Sequence, residues 1–195
     1  QDDVSIVRSL PNFTVLSPCD PLELEECVKY LCTKNKSPCY LRIGKTGEKT
    51  FSNKRSEKWV FNKPRVLLKG GNKICLIGTG AIIRLFFDIY EKLKLKKIFP
   101  TIISFHTLKP VNKKEIHKIF KKYKKIITLE DMSEINGLSS IIKSEAYEAK
   151  FFGNIYSFAL QDKNLKNYGS QDDLLKMHGI SAENVFKKIL KVSKV

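Results

Sequence analysis

The chain has 195 residues, 42 % of them hydrophobic and 10 % aromatic, enough to bury the core of one domain and part of another. This excludes a disordered chain, and no apolar run approaches the ~20 residues that span a bilayer as a helix. The net charge of +16 is mostly lysine, and it reads as solvated helix faces rather than a nucleic-acid or membrane surface.

Along the chain, residues 2–9 read as a short helix and Phe13 to Leu16 as a strand. Asp20, Pro21 and Glu23 then supply an N-cap, a first helical residue and a capping box for a helix with Leu24, Cys27, Val28 and Leu31 on one face. Pro38 to Ile43 read as a strand that Gly44 and Lys45 end. Residues 46–64 turn polar and read as a linker, with Trp59 and Phe61 tacking it to a surface. Beyond it, strand and helix alternate. Ile74 to Ile77, Thr101 to Phe105, Ile126 to Leu129 and Ile155 to Ala159 are the strands. Helices follow the first strand through Leu93, run from Lys113 to Lys125 behind a capping box of Asn112 and Glu115, and run from Gly137 to Glu148. Two more start at Ser170 and Ser181.

In the Lys113 helix, Ile116, Ile119, Phe120 and Tyr123 share one face and the lysines the other. The alternation predicts an α/β fold: a mostly parallel open sheet with helices on both faces, preceded by part of a second α/β domain.

Chemistry in such sheets gathers at the carboxyl ends of the strands. Those ends carry Gly78-Thr79-Gly80, His106-Thr107, Glu130-Asp131 and Gln161-Asp162. The glycine pair is not a dinucleotide fingerprint. Ile83 stands at the third glycine position, and His106 stands where a ribose-binding acid belongs. Taken alone, His106 reads as a structural histidine, Glu130-Asp131 as helix-capping or surface residues, His117 as solvent-facing, and His178 as a cation at a helix end. The five cysteines are odd in number and lack a Cys-x-x-Cys pair, so they read as small buried thiols rather than disulfides or a zinc site. No signal peptide is visible, so the cytoplasm is expected. Because the chain opens on Gln1, processing or truncation is expected.

The order of these segments carries a resemblance. Asp3 to Asn12 and Val15 to Asp20 resemble part of the pyrimidine-binding domain of transketolases, and Pro38 to Lys45 resemble the strand that closes it. Ile77 to Gly80, His106 to Pro110, Thr128 to Asp131, Tyr168-Gly169, Leu174-Leu175 and His178 to Glu183 resemble the transketolase C-terminal domain in order. The chain is most similar in kind to split transketolase-like C-terminal subunits. The Glu-x-His-x-x-x-Gly-Gly turn of that family departs here, with Met132 for the His and Asn136 for one Gly.

The resemblance implies residues 1–45 as the end of a pyrimidine-binding domain, 46–65 as a linker and 66–195 as the C-terminal domain. It implies a component of a thiamine diphosphate-dependent enzyme that moves a two-carbon ketol unit between sugar or sugar-phosphate substrates. Deoxyxylulose-phosphate synthesis, 2-oxoacid oxidation and a non-enzymatic basic interaction module are the alternatives. Thiamine diphosphate and Mg²⁺ or Ca²⁺ would be bound mainly outside this chain, so neither catalytic nor cofactor-binding residues are expected within it. The candidate substrate-binding residues are Lys45, Arg8, Asp2 and His106. Expected partners are a pyrophosphate-binding domain or subunit and a homo-oligomer, a dimer or a heterotetramer when split. Neither nucleic acid nor a membrane is expected.

Overall fold

A computed structural model of the chain describes residues 2–44, 47–53, 56–71, 73–166 and 168–193. The first block holds α1 (Asp3–Ser9), β1 (Thr14–Leu16), α2 (Pro21–Thr33) and β2 (Cys39–Leu41). The second holds β3 (Arg65–Leu68), β4 (Ile74–Gly78), a 3₁₀ turn (Ala81–Ile83), α3 (Arg84–Leu95), β5 (Thr101–Ser104), β6 (Thr107–Lys109), α4 (Lys113–Lys122), β7 (Lys125–Ser133), α5 (Leu138–Glu148), β8 (Asn154–Leu160), α6 (Gln171–Met177) and α7 (Ala182–Ser193).

The main sheet has the order β3-β5-β4-β7-β8. Strands β5, β4, β7 and β8 run parallel, with β8 at one edge, and β3 is the antiparallel edge on the other side. The α/β expectation holds. Side chains alternate along each strand and feed two cores. Leu76, Ile102 and Ile127 face α3 and α7, packing with Phe86, Ile89, Val185 and Ile189. Cys75, Ile77, Ile103 and Ile126 face α4 and α5, packing with Ile116, Phe120, Ile141 and Ile142. Each fully buried side chain of this kind contributes about 1.5–3 kcal/mol.

A second, three-stranded sheet has the order β2-β1-β6. β1 and β2 run parallel, whereas β6 comes from the second block and pairs antiparallel with β1. The His106-to-Pro110 segment therefore stitches the two blocks together. Described residues of 47–64 contain neither helix nor strand, whereas Arg65, expected to end the linker, opens β3 because it pairs with Ser104 of β5. Phe61 stacks on Tyr30 of α2 at 3.8 Å, and Trp59 lies 5.0 Å from the His106 ring.

The caps differ in detail from expectation. Asp20 accepts from the Glu23 amide, but the Glu23 carboxylate reaches the Cys19 amide instead of closing the box on Asp20. Asn112 caps α4 through the Glu115 amide, while the Glu115 side chain pairs with Lys118. Only Ser170 with Asp173, among these three, makes the full reciprocal box. Two of the five thiols, Cys32 and Cys39, are exposed rather than buried, because they lie off the packed faces of α2 and β2.

Candidate functional site

The carboxyl ends of β1, β2, β4 and β7 converge on one cleft of about 580 Å³. Ser17 ties the rim together. Its N–H donates to the His106 carbonyl at 2.8 Å, and its own carbonyl accepts from Gly80 N–H at 3.1 Å. Gly80 has φ +72°, and a Cβ there would stand 2.8 Å from the Ser17 hydroxyl, so the turn needs glycine. The neighbouring Gly78 leaves space that the Ile83 side chain fills. This is the tight-turn role expected of the glycine pair.

Arg42 stands at the centre. It follows β2, and Tyr40 two residues earlier shares its side of the strand. Arg42 Nε donates to Asp3 Oδ2 at 3.1 Å, Nη1 donates to Asp131 Oδ1 at 2.8 Å, and Nη2 donates to the Asp131 carbonyl at 3.3 Å. The Tyr40 hydroxyl donates to Asp3 at 2.7 Å, and Gln171 donates to Asp131 at 3.3 Å. Burial pushes the Arg42 guanidinium down, but Asp131 and Asp3 outweigh it and hold it above its ordinary value. Burial likewise pushes Asp3 up, but the Tyr40 hydroxyl and Arg42 hold it below the usual carboxylate range. A guanidinium carries five N–H donors. Three are spent on the protein, leaving two for an anionic or hydroxylated ligand in the cleft.

The expected contacts fall unevenly around this centre. Lys45 lies outside the described residues; Gly44 lines the cleft. Asp2 is exposed at the N-cap position of α1 without a side-chain cap, and the cleft carboxylate is its neighbour Asp3. Arg8 turns away from the cleft and donates to the Asn136 carbonyl, the Asn136 side chain at 2.8 Å and the Gly137 carbonyl. It therefore orders the turn before α5, where Asn136 takes φ +60° in place of the glycine of the resembled motif.

His106 is fully buried. Its Nε2 donates to the Lys63 carbonyl at 3.0 Å and its Nδ1 accepts from the Thr107 hydroxyl at 2.8 Å, so no ring nitrogen is left for substrate. Burial pushes its pKa down and keeps it neutral. Its surroundings support the structural reading and give the substrate contact no footing.

The remaining titratable groups serve the fold. Glu130 accepts from the Leu138 and Ser139 amides at 2.6 and 2.8 Å and caps α5, as expected. Burial pushes its carboxyl up to about 7 against those hydrogen bonds. His178 corrects the expectation of a helix-end cation. It is buried, its Nδ1 accepts from Gln161 N–H at 3.0 Å, and burial holds it neutral. His117 is half-exposed and lies 3.2 Å from Glu145.

Residues 64–185 match the family described as the C-terminal domain of transketolase. The chain belongs to the transketolase C-terminal domain family. It is 29 % identical over 190 residues to the 1-deoxy-D-xylulose-5-phosphate synthase of Clostridium tetani, spanning 97 % of this chain and 30 % of that protein. It is 30 % identical to the corresponding synthase of Caldanaerobacter subterraneus, over 96 % of this chain and 30 % of that one. A putative transketolase C-terminal section of Methanocaldococcus jannaschii is 26 % identical over 99 % of this chain and 60 % of its own length. The chain thus spans about a third of the synthases it matches. In fold it is similar to a split-gene transketolase solved as an inactive beta4 tetramer, with TM-score 0.81 at 20 % identity over 97 % of this chain and 60 % of that one.

Among the described residues, the buried carboxylates are engaged within the fold and none is presented to thiamine diphosphate. Glu130 is taken up by the Leu138 and Ser139 amides, and Glu23 by the Cys19 amide and the Ser104 hydroxyl, with Arg65 at 3.6 Å. Among the described residues, no group of three or more His, Cys, Asp and Glu could hold a metal ion. No helix among them is long and apolar enough to cross a membrane.

Sequence reading missed Arg42, Asp3 and Tyr40 as a unit. The available signal was their spacing: Tyr40 and Arg42 lie two apart at a strand end that leads to the rim.

Proposed function

We propose that this chain is the C-terminal component of a thiamine diphosphate-dependent enzyme of the transketolase type, which transfers a two-carbon ketol unit between sugar or sugar-phosphate substrates. Residues 1–45 supply the end of a pyrimidine-binding domain and 66–195 the C-terminal domain. The cofactor and its Mg²⁺ or Ca²⁺ are held by residues outside the chain, from a pyrophosphate-binding domain or subunit within a homo-oligomer. The enzyme works in the cytoplasm. The observation that carries the reading is the Arg42 cleft, at the carboxyl ends of strands from both sheets, in a chain of this family.

Arg42 is the cleft's positioning cation. Asp3 and Asp131 fix the plane of its guanidinium and leave its free N–H donors for a substrate phosphate; Lys45 follows Arg42 by three residues in sequence, and Asp2 precedes Asp3. In the complete enzyme, Arg42→Ala is expected to raise KM for a phosphorylated aldehyde acceptor by about tenfold or more, with a smaller effect for its unphosphorylated analogue. Arg42→Lys should recover part of the loss, because it keeps the charge but not the fork. Equal losses for both acceptors would refute the phosphate role.

The identities to deoxyxylulose-phosphate synthases over nearly the whole chain favour a second reading with the same acceptor chemistry and pyruvate as donor. Pyruvate decarboxylation assayed against ketose cleavage decides between the two donors.

A further inference from the structure

Strands β4, β5, β7 and β8 point the same way, so every turn leading into them lies at one end of the sheet, opposite the Arg42 cleft. The described residues of those four turns are 69–71 with 73, 96–100, 123–124 and 149–153. In sequence they contain Lys69, Lys73, Lys96, Lys97, Lys124 and Lys150, and neither a carboxylate nor an arginine. All six lysines are exposed.

The helix ends add to this field. α3 contributes Lys94, which is paired with Glu91, and α4 contributes exposed Lys121 and Lys122. α7 ends here as well, since Lys125 at the start of β7 donates to the Val192 carbonyl, and it brings exposed Lys191. Glu148 at the end of α5 is the opposing charge on that helix end. By contrast, the 161–170 turn at the cleft end mixes Asp162 with Lys163 and Lys166.

Lysine at a helix C-terminus complements the helix dipole. That accounts for Lys94, Lys121 and Lys122, but not for Lys69 or Lys73 in the β3–β4 turn. Nor does it account for the apolar side chains set out at the same end. Leu95, closing α3, is 84 % exposed; Phe152, in the turn before β8, is 91 % exposed; Tyr147, in the last turn of α5, is 85 % exposed. α3 and α5 pack on opposite faces of the sheet. The apolar tips therefore flank the lysine field on both sides.

We propose that this end of the sheet docks on an anionic lipid bilayer. Lysines attract a diffuse array of anionic headgroups within a Debye length, and apolar tips on either side can enter the headgroup boundary together. Lysine without arginine suits such an array better than the fixed, bidentate phosphates of a nucleic acid. The proposal departs from the reading of the charge as merely solvated faces, because the fold gathers at one pole lysines that are scattered in sequence. A bilayer at this pole lies at the opposite end of the sheet from the Arg42 cleft.

The test is co-sedimentation of the full-length protein carrying this chain with vesicles of phosphatidylcholine, with or without phosphatidylserine. Binding is expected only with phosphatidylserine and is lost at high salt. Reversing Lys96, Lys97, Lys121 and Lys122 to Glu should weaken it by about tenfold or more. Leu95→Ser with Phe152→Ser should weaken it while keeping the salt dependence. Circular dichroism and turnover should stay unchanged in both variants, as these side chains are exposed and remote from the cleft. Absence of binding to phosphatidylserine vesicles, indifference to the lysine reversals, or tighter binding to single-stranded RNA at the same salt would each overturn the proposal.

Discussion

Glu130 shows how one buried carboxylate can make stability depend on pH. Its folded pKa, about 7, lies above the ordinary 4.5, so the folded state holds the proton more tightly than the unfolded one. The stability this gives is full below about pH 4.5 and is lost as pH rises toward about 7, at no more than about 1.4 kcal/mol per pH unit. Glu130→Gln cannot ionise. It should lower stability by about 1–3 kcal/mol at low pH, since one α5 amide loses its acceptor. It should also flatten the decline between about pH 5 and 7. Urea unfolding of both proteins across that range checks this; parallel curves would count against it. The Arg42 cluster works by the opposite logic. There the carboxylates are matched by a cation, and Asp3 stays ionised through the physiological range.

At the level of elements, His106 acts as a clasp. Its ring holds the Lys63 carbonyl, Thr107 accepts from the Asn62 amide at 3.3 Å, and Phe61 lies on Tyr30. The segment before β3 is therefore pinned at its end despite having no helix or strand over residues 57–64. Tyr30→Ala should remove about 0.5–1.5 kcal/mol of ring contact beyond the area lost. It should also speed amide hydrogen exchange across residues 57–64, while exchange in β4 and β7 is unchanged. Uniform acceleration throughout the sheet would mean the clasp is not local.

Which elements were legible follows from their physics. α4 carries an apolar stripe beside a cap, and β4 is a continuous apolar run; both announce themselves locally. β3 and β6 do not. Arg65-Val66-Leu67-Leu68 has too little pattern to separate it from the linker, and Thr107 to Lys109 form a strand only because β1 is there to pair with. The cleft was legible as a rim but not as a site. Asp3, at the start of α1, and Asp131, in β7 of the main sheet, meet Arg42 just past β2 of the small sheet, and no local pattern encodes that meeting.

At the scale of the whole molecule, a buried polar network joins the blocks. Glu23 of α2 accepts from Cys19 N–H at 2.8 Å and from the Ser104 hydroxyl of β5 at 2.7 Å, and it lies 3.6 Å from Arg65 of β3. Arg65 in turn donates to Ser52 and to the Glu57 carbonyl. Truncating one member of a buried pair strands the other's charge, which typically costs about 3–5 kcal/mol. Glu23→Ala is expected to lose stability on that scale, and to do so in a single unfolding transition because the network spans both blocks. Two separated transitions in a denaturant titration would show instead that the blocks unfold independently.

The strand that crosses between sheets also bears on how the chain folds. β1 finds one neighbour, β2, soon after it is made, but its other neighbour, β6, follows only after β3, β4, α3 and β5. Its three-stranded sheet is thus a late, non-local assembly, of the kind that slows folding. As the ribosome delivers the chain, β1 stands with a bare edge until Thr107 to Lys109 have emerged, a window in which a chaperone or the wrong strand can take that place.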